Sequence, residues 1–283
     1  MVISSQRTIY GVHLSLAKQL GLKYHVKPNT TLNEKYKILD DYTDIYLDDS
    51  EYPTLKYMGI GIGGTDTLEN VSGFSFSKHS AIDGACFKQI PFVIKPKEND
   101  LSASDRDKYR LRVPMTIENK QYYAYYLKVI DKDITLRGEY FNVSNVDGKQ
   151  VLTVFSTANS TILNPTPIDR SPILRDVNHS EYVTALCKIR IDLEKEDIQN
   201  IKDVYKLLGI TNEPPLSEVV LCTGVDVLLP PTDLEPSYRE AKCVQVNYHV
   251  GMDIDIAVRF GTGEPVRRNI EIGGSEPYYV KGN

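Results

Sequence analysis

Three glycines near residue 60 have the spacing of a dinucleotide-binding loop. In the stretch YMGIGIGGT, residues 57–65, Gly59, Gly61 and Gly64 match G-x-G-x-x-G. Such a loop binds pyrophosphate when it joins a parallel strand to a helix, because the N-terminal amides of the helix then face the phosphates. An acidic residue about 20 positions later contacts the ribose, and Asp83 is suitably placed for that role.

The segment that follows these glycines does not fit that chemistry. The sequence TDTLENVSGFSFSKHS contains several Ser and Thr residues and no apolar period of 3.6 residues, so it does not predict the required helix. We therefore expect a strand or a glycine-rich turn that another stretch of backbone approaches closely. No cofactor is expected to bind there.

Other residue types capable of chemistry lack the partners that the chemistry needs. Ser75 and Lys78 fit S-x-x-K, but the S-D-N and K-T-G elements that accompany it in β-lactamases are absent from the sequence. No two of the five histidines have metal-ligand spacing or a recognisable pairing with Ser or Cys. These are His13, His25, His79, His179 and His249. We interpret them as surface or packing residues and predict that the protein is not an enzyme.

An acidic segment between residues 40 and 51 could in principle supply oxygen ligands to Ca²⁺. It lacks EF-hand spacing and the turn glycine, so we interpret it as a solvated loop and expect no metal site. The four cysteines are widely spaced and form no C-x-x-C pair. They are expected to be free thiols in a reducing compartment.

Composition excludes several classes of function. The chain has 283 residues, a formal net charge of −5 and scattered Lys and Arg residues, so no nucleic-acid partner is expected. No run reaches the roughly 18 to 20 apolar residues that a membrane helix needs, and the N-terminus has no signal-peptide pattern. We therefore expect no membrane contact and synthesis in the cytoplasm.

Apolar periodicity predicts a β-rich α+β fold with mostly antiparallel sheets. A firm amphipathic helix is predicted at about residues 194–208, in EKEDIQNIKDVYKLLG, and a short helix in VHLSLAKQLGL near the N-terminus. The proline-rich segment 164–172, NPTPIDRSP, is predicted to link an N-terminal β-rich region, residues 1–163, to a C-terminal α+β region, residues 173–283.

The longest alternation in the chain runs from Val244 to Phe260 and is interrupted only by Gly251. It predicts one bent strand, or two strands joined by a tight turn at HVGMD, with one face in the core. The buried face is expected to include Val246, Ile254 and Ile256. The outer face is expected to carry Gln245, Asn247, His249, Asp253, Asp255 and Arg259, and a sheet edge there would contact a neighbouring subunit through Asp255 and Arg259.

A cluster of tyrosines gives a second candidate interface. Tyr122, Tyr123, Tyr125 and Tyr126 lie in the strand-like stretch QYYAYYLKVID, where alternation prevents all four from facing one side. Tyrosine gives large contact area at low rotamer cost, so a partner surface and ordinary sheet packing both remain open.

The C-terminal portion resembles structural proteins of tailed-phage virions. The resemblance is carried by the succession of EYVTALCKIRIDLEKEDIQNIKDVYKLLGI, LSEVVLCTGVDVLL and YREAKCVQVNYHVGMDIDIAVRF. It is greatest to the baseplate wedge proteins of contractile tails, with neck or connector proteins second. It implies a non-enzymatic virion subunit whose partners are other virion proteins in a symmetric assembly. A carbohydrate- or host-surface-binding β module and, from the glycine loop alone, an enzyme are the alternatives.

Overall fold

A computed structural model describes residues 5–8, 11–12, 14–15, 18, 24–25, 46–47, 53–67, 74–130, 139–155, 182–211, 213–231, 236–252 and 254–277. The chain divides into two compact units. The first comprises Met1–Lys132 and Arg190–Ile270, and the second comprises Asp133–Ile189 and Glu271–Asn283.

Strands dominate the described residues, and the β-rich α+β prediction is confirmed. The strands are β1 (Ser5–Arg7), β2 (Tyr24–His25), β3 (Tyr46–Leu47), β4 (Thr54–Gly61), β5 (Thr65–Thr67), β6 (Phe74–Phe76), β7 (Gln89–Ile90), β8 (Val93–Pro96), β9 (Tyr109–Ile117), β10 (Lys120–Val129), β11 (Glu139–Val146), β12 (Lys149–Phe155), β13 (Tyr182–Leu193), β14 (Glu218–Leu229), β15 (Tyr238–Val250) and β16 (Val266–Pro277). The helices with defined bounds are α1 (Ala103–Arg106), α2 (Lys195–Leu207) and α3 (Ile254–Thr262).

The first unit is built on one large antiparallel sheet. Its strand order is β1-β15-β14-β4-β10-β8, with β7 also paired to β4 and β9 to β10. Strand β14 is central, because β15 and β4 are hydrogen-bonded to its two edges. Its residues from Glu218 to Gly224 are all buried. Both faces of β14 are therefore covered over this stretch.

This sheet contradicts the predicted division into regions 1–163 and 173–283. Strand β4 pairs with β14 and β1 pairs with β15, so strands from both ends of the chain belong to one sheet. The predicted linker, residues 164–172, lies outside the described residues. The prediction was wrong because a proline-rich break in the sequence marks the end of an element and not which elements pair.

The second unit contains a four-stranded sheet in the order β12-β11-β13-β16. Strands β11 and β12 form a hairpin whose turn residues, Asp147 and Gly148, both have positive φ. This Asp-Gly turn matches the right-handed twist of the two strands. The boundaries between the units fall inside β13 and β16.

Helix α2 confirms the predicted amphipathic helix. Its buried residues include Ile198, Ile201, Val204 and Tyr205. The carboxylates of Glu194 and Asp197 form a reciprocal capping box at its N-terminus. In the predicted short N-terminal helix, VHLSLAKQLGL, the described residues 12, 14–15 and 18 are helical.

The predicted strand between Val244 and Phe260 is correct only as far as Val250. Strand β15 ends there and α3 begins at Ile254. Residues four apart share a face in both a strand and a helix, so the alternation did not distinguish the two. Ile256, Ala257 and Phe260 are buried, which is the spacing of a helix face.

The residues predicted for the outer face of that strand have different positions. Gln245, Asn247 and His249 are 2%, 3% and 3% exposed, so this face of β15 is also buried. Asn247 Oδ1 accepts a hydrogen bond of 2.6 Å from Thr223 Oγ1 on the neighbouring strand. The prediction of a solvent-exposed outer face was wrong, because a polar side chain on this face is hydrogen-bonded to the neighbouring strand inside the protein.

The two residues of this segment that were predicted to contact a neighbouring subunit, Asp255 and Arg259, lie on α3 and not on a strand edge. The guanidinium of Arg259 is half-buried and its Nη1 lies 3.4 Å from Glu264 Oε2. The side chains of Asp255 and Ile254, and all of Asp253, lie outside the described residues.

Candidate functional site

A buried carboxylate organises the surroundings of the glycine-rich stretch. Glu218, the first residue of β14, lies opposite Gly61 in the β4–β14 ladder, and its side chain is 0% exposed. Its Oε2 accepts hydrogen bonds from the backbone amides of Gly63, at 2.7 Å, and Lys88, at 3.1 Å. Its Oε1 accepts from the Phe87 amide at 2.6 Å and lies 3.0 Å from Nε2 of His79.

These four contacts keep the carboxylate ionised. Burial by itself raises the pKa of Glu218, because it disfavours the charged form. The hydrogen bonds from His79, Gly63, Lys88 and Phe87 act in the opposite direction and hold the pKa below its ordinary value. Glu218 is therefore a buried anion whose charge is satisfied by donors from two separate segments.

The G-x-G-x-x-G spacing reflects this close packing. A Cβ atom at Gly61 would lie 2.5 Å from Glu218 Oε2 and 2.8 Å from the carbonyl oxygen of Lys88, and one at Gly64 would lie 3.1 Å from Glu218 Cγ. After Gly64 the chain enters β5, which forms a hairpin with β6. The predicted close approach of another stretch of backbone is confirmed. The glycines lead into a strand and not into the N-terminus of a helix.

The segment that follows this hairpin, residues 77–88, is termed the return loop. Its residue His79 lies between the carboxylates of Glu218 and Asp83. Its Nε2 faces Glu218 Oε1, and its Nδ1 lies 3.2 Å from Asp83 Oδ2. Asp83 Oδ2 also accepts a hydrogen bond of 2.7 Å from the Ser80 amide. The ring of His79 stacks on Phe87 with a centroid distance of 4.2 Å.

His249 of β15 covers the other face of the His79 ring. The two ring centroids are 3.8 Å apart and the planes differ by 11°. His249 Nε2 lies 2.8 Å from the carbonyl oxygen of Asp83. Within the described part of the chain its Nδ1 is buried without a hydrogen-bond partner. Burial lowers the pKa of His249, which favours the neutral ring.

The sequence did not predict this cluster. His79 and His249 were interpreted as isolated surface or packing residues, and the structure shows that they pack against each other. Glu218 was not singled out at all. Two signals pointed to the place: the run of small residues before Thr65, and a carboxylate at the head of the apolar strand EVVLC. Neither reveals which residues meet, because that depends on the register of β4, β14 and β15.

Two large apolar side chains of the return loop are exposed. Phe87 is 56% exposed and Ile82 is 76% exposed. The backbone of the same loop is held by hydrogen bonds from the Phe87 amide to Glu218 and from the Ser80 amide to Asp83. The exposed side chains beside Phe87 and Ile82 are those of Lys78, Ser80, Ala81 and Lys88. The loop therefore presents two large apolar side chains next to two lysines.

The tyrosine cluster of β10 is divided by burial. Tyr125 is 0% and Tyr126 5% exposed, so neither is available to a partner, and their prediction as interface residues was wrong. Tyr125 packs on Tyr109, and its hydroxyl donates a hydrogen bond of 2.6 Å to Asp100 Oδ1. Tyr122 and Tyr123 are half-buried and line a surface cavity of about 310 Å³.

Other features of the described residues bear on chemistry. No group of three or more His, Cys, Asp or Glu side chains within the described ranges has the arrangement of a metal site. Cys86, Cys222 and Cys243 are buried free thiols, and the side chain of Cys187 lies outside the described residues. A search of the described helices finds none long and apolar enough to cross a membrane.

Comparison with known proteins identifies a family. Neither the curated proteins nor the solved structures include a match to the chain. A family profile, in contrast, matches residues 2–283, which is nearly the whole sequence. The chain therefore belongs to DUF7208, a family of unknown function.

Proposed function

We propose that the protein is a non-enzymatic structural subunit of a phage virion that contacts neighbouring subunits through the return loop. The observation that carries this proposal is that the loop backbone is held by hydrogen bonds to Glu218 while two large apolar side chains of the loop, Ile82 and Phe87, are exposed. The proposed position is the tail baseplate wedge, and a neck or connector position in the same virion is the alternative.

The internal contacts of the loop argue for preorganisation. Glu218 accepts backbone hydrogen bonds from Phe87 and Lys88, and His79 is stacked on Phe87. These contacts fix the direction of the Phe87 side chain before any partner arrives. Ordering a loop in advance reduces the entropy that binding must offset. A fixed loop is therefore suited to an interface.

The exposed side chains argue for what the loop binds. Phe87 and Ile82 each keep more than half of their surface in contact with water in the described fold. Large apolar residues exposed on a surface can mark sites of protein association, and aromatic residues are common anchors there. We infer that another subunit covers them.

The virion assignment is supported by the resemblance of the C-terminal sequence to baseplate wedge proteins. The segments that carry it form β13, α2, β14, β15 and α3. In this proposal the partners are other virion proteins in a symmetric assembly, and the mature location is the virion.

The proposal is tested by replacing Ile82 and Phe87 with Ser. The double variant should fold, because both side chains are more than half exposed, with only a small fall in melting temperature from the lost stacking of Phe87 on His79. It should fail to enter particles in a complementation assay. Leu228→Ser is the matched control, because Leu228 is 63% exposed on β14. Particles that incorporate the double variant as well as the control would remove the return loop from the interface.

A carbohydrate- or host-surface-binding module is a second candidate, which the cavity beside Tyr122 and Tyr123 favours. Its other lining residues include Thr116 and Gln121, which supply polar groups next to aromatic faces. Tyr122→Ala and Gln121→Ala should abolish binding to a glycan array if this cavity binds sugar. A wild-type chain that binds no glycan on the array would eliminate the candidate.

A further inference from the structure

The stack of His79 on His249 restricts the charge that the two rings can carry. Their centroids are 3.8 Å apart, and the side chain of His79 is 8% exposed. Two imidazolium ions at that distance, largely removed from water, repel each other strongly. The stack is therefore stable with one positive charge and not with two.

The hydrogen bonds indicate which ring carries the charge. Both ring nitrogens of His79 face carboxylate oxygens, those of Glu218 and Asp83, and a carboxylate can only accept. Both contacts are hydrogen bonds only when both nitrogens carry a proton. His249 Nε2 faces the carbonyl of Asp83 and must donate, whereas its Nδ1 meets no partner among the described residues. That arrangement fits a neutral ring protonated at Nε2.

We propose that the return loop is held by a proton-dependent lock, in which a charged His79 lies on a neutral His249 between Glu218 and Asp83. When His79 loses its proton, one carboxylate faces a nitrogen lone pair and the loop loses a charge-assisted hydrogen bond. When His249 gains a proton, a second cation adjoins the first. The loop is therefore ordered within a pH window and loosens on both sides of it.

The groups around His79 are consistent with this lock. Asp83 faces the ring from the loop, Glu218 faces it from β14, and His249 faces it from β15. Phe87 covers the remaining face without charge. The thiol of Cys86 also lies near Glu218. Burial and the negative charge of Glu218 both raise the pKa of this thiol, so Cys86 stays neutral. The lock concerns the order of the loop and does not depend on what the loop binds.

The protonation states can be measured in the wild-type chain. Long-range ¹H–¹⁵N spectra of ¹⁵N-histidine-labelled protein distinguish a charged ring from each neutral tautomer. At neutral pH the spectra should show a His79 ring protonated on both nitrogens beside a neutral His249 ring that carries its proton on Nε2. A neutral His79 beside a charged His249, or a neutral His249 protonated at Nδ1, would overturn the assignment.

The order of the loop can be measured by hydrogen exchange of peptides from residues 77–88. Between about pH 5 and about pH 8, the range in which histidines change charge, protection corrected for the intrinsic rate should pass through a maximum and fall about tenfold on each side. His249→Gln keeps a donor near the Asp83 carbonyl and cannot become charged. In this variant the loss of protection at acid pH should disappear, while the loss of protection at alkaline pH should remain. Peptides from 139–155, in the other unit, serve as the internal reference.

Two results would contradict the lock. One is a wild-type protection profile for the return loop that is flat over this pH range. The other is an acid-side fall that persists unchanged in His249→Gln. Because the spectroscopic measurement uses the unmodified chain, the inference stays testable even if the His249 variant does not fold. Both measurements are made on the isolated chain, so they are independent of particle incorporation.

Discussion

Gly61 lies directly opposite Glu218 in the β4–β14 ladder, and a methyl group at Gly61 would lie 2.5 Å from the Oε2 atom of that carboxylate. It would also lie 2.8 Å from the carbonyl oxygen of Lys88. The buried anion and the glycine are therefore mutually dependent. The return loop can approach β4 only because β4 has no side chain at this position.

Gly61→Ala should accordingly destabilise the protein by about 2–3 kcal/mol, the cost of overpacking a site whose neighbours are backbone atoms. The control is Gly261→Ala. Gly261 lies in α3 with no atom within 4 Å of the added Cβ, and alanine favours a helix, so this variant should be neutral or slightly stabilising. Urea unfolding of both variants measures the difference. Equal midpoints would show that β4 tolerates a side chain opposite Glu218.

Stability should fall as the solution is acidified, and in two steps. The folded-state pKa values of His249 and Glu218 both lie below their ordinary values of 6.5 and 4.5. A group with a depressed pKa stabilises the fold above its ordinary pKa and loses that contribution as pH falls. The free energy of unfolding should thus decline below about pH 6.5 because of His249 and again below about pH 4.5 because of Glu218.

The first step can be assigned by comparing the wild type with His249→Gln in urea titrations at pH 7.5 and 5.5. The variant should lose less stability between these two conditions than the wild type does, since glutamine does not titrate. Identical losses would indicate that other groups cause the decline.

Asp226 should matter more to stability than its partner Tyr57. Asp226 Oδ1 accepts hydrogen bonds from the Tyr57 hydroxyl, at 2.6 Å, and from Arg110 Nε, at 3.1 Å. Tyr57→Phe removes one donor and should cost about 1 kcal/mol. Asp226→Ala leaves the guanidinium of Arg110, which is 7% exposed, without this carboxylate and should cost about 2–3 kcal/mol. Thermal unfolding should rank them in that order, and a larger cost for Tyr57→Phe would contradict it.

The buried thiols should be unreactive in the native protein. Burial raises the pKa of Cys222 to about 12 and that of Cys86 well above its ordinary value. Because the thiolate is the reactive form, neither should react with a disulfide reagent before the chain unfolds. In denaturant all four cysteines should be titrated, with and without prior reduction. A lower count without reductant would indicate a disulfide.

Local features of the fold could be predicted from the sequence because their causes are local. Helix α2 is marked by acidic residues in its first turn, by apolar residues on one side, and by Gly209, which has a φ of +66° just beyond its end. Residues 254–260 were predicted to lie in a strand, because apolar residues four apart fit both periods. That ambiguity was resolved by packing, since Phe260 contacts Tyr205 of α2.

The candidate site could not be predicted because none of its causes is local. His79, Glu218 and His249 belong to three segments that meet only when β14 pairs with both β4 and β15. A shift of one residue in either ladder would send Glu218 or His249 to the opposite face. The glycines showed that something passes close to β4. The sequence alone did not reveal that it is a carboxylate.

The central position of β14 also constrains how the chain can be made. Glu218 accepts a hydrogen bond from the Gly63 amide across a separation of 155 residues, and β1 pairs with β15 near the other end of the chain. Pairing over such separations is slow, because a long loop must close before any contact is gained. On the ribosome, β4 is translated long before β14, so the edge of β4 that pairs with β14 stays unpaired during that time and is prone to aggregation. Unit 1 therefore completes its sheet only after residue 250 has been translated, and β4 is the segment that a chaperone would be expected to shield until then.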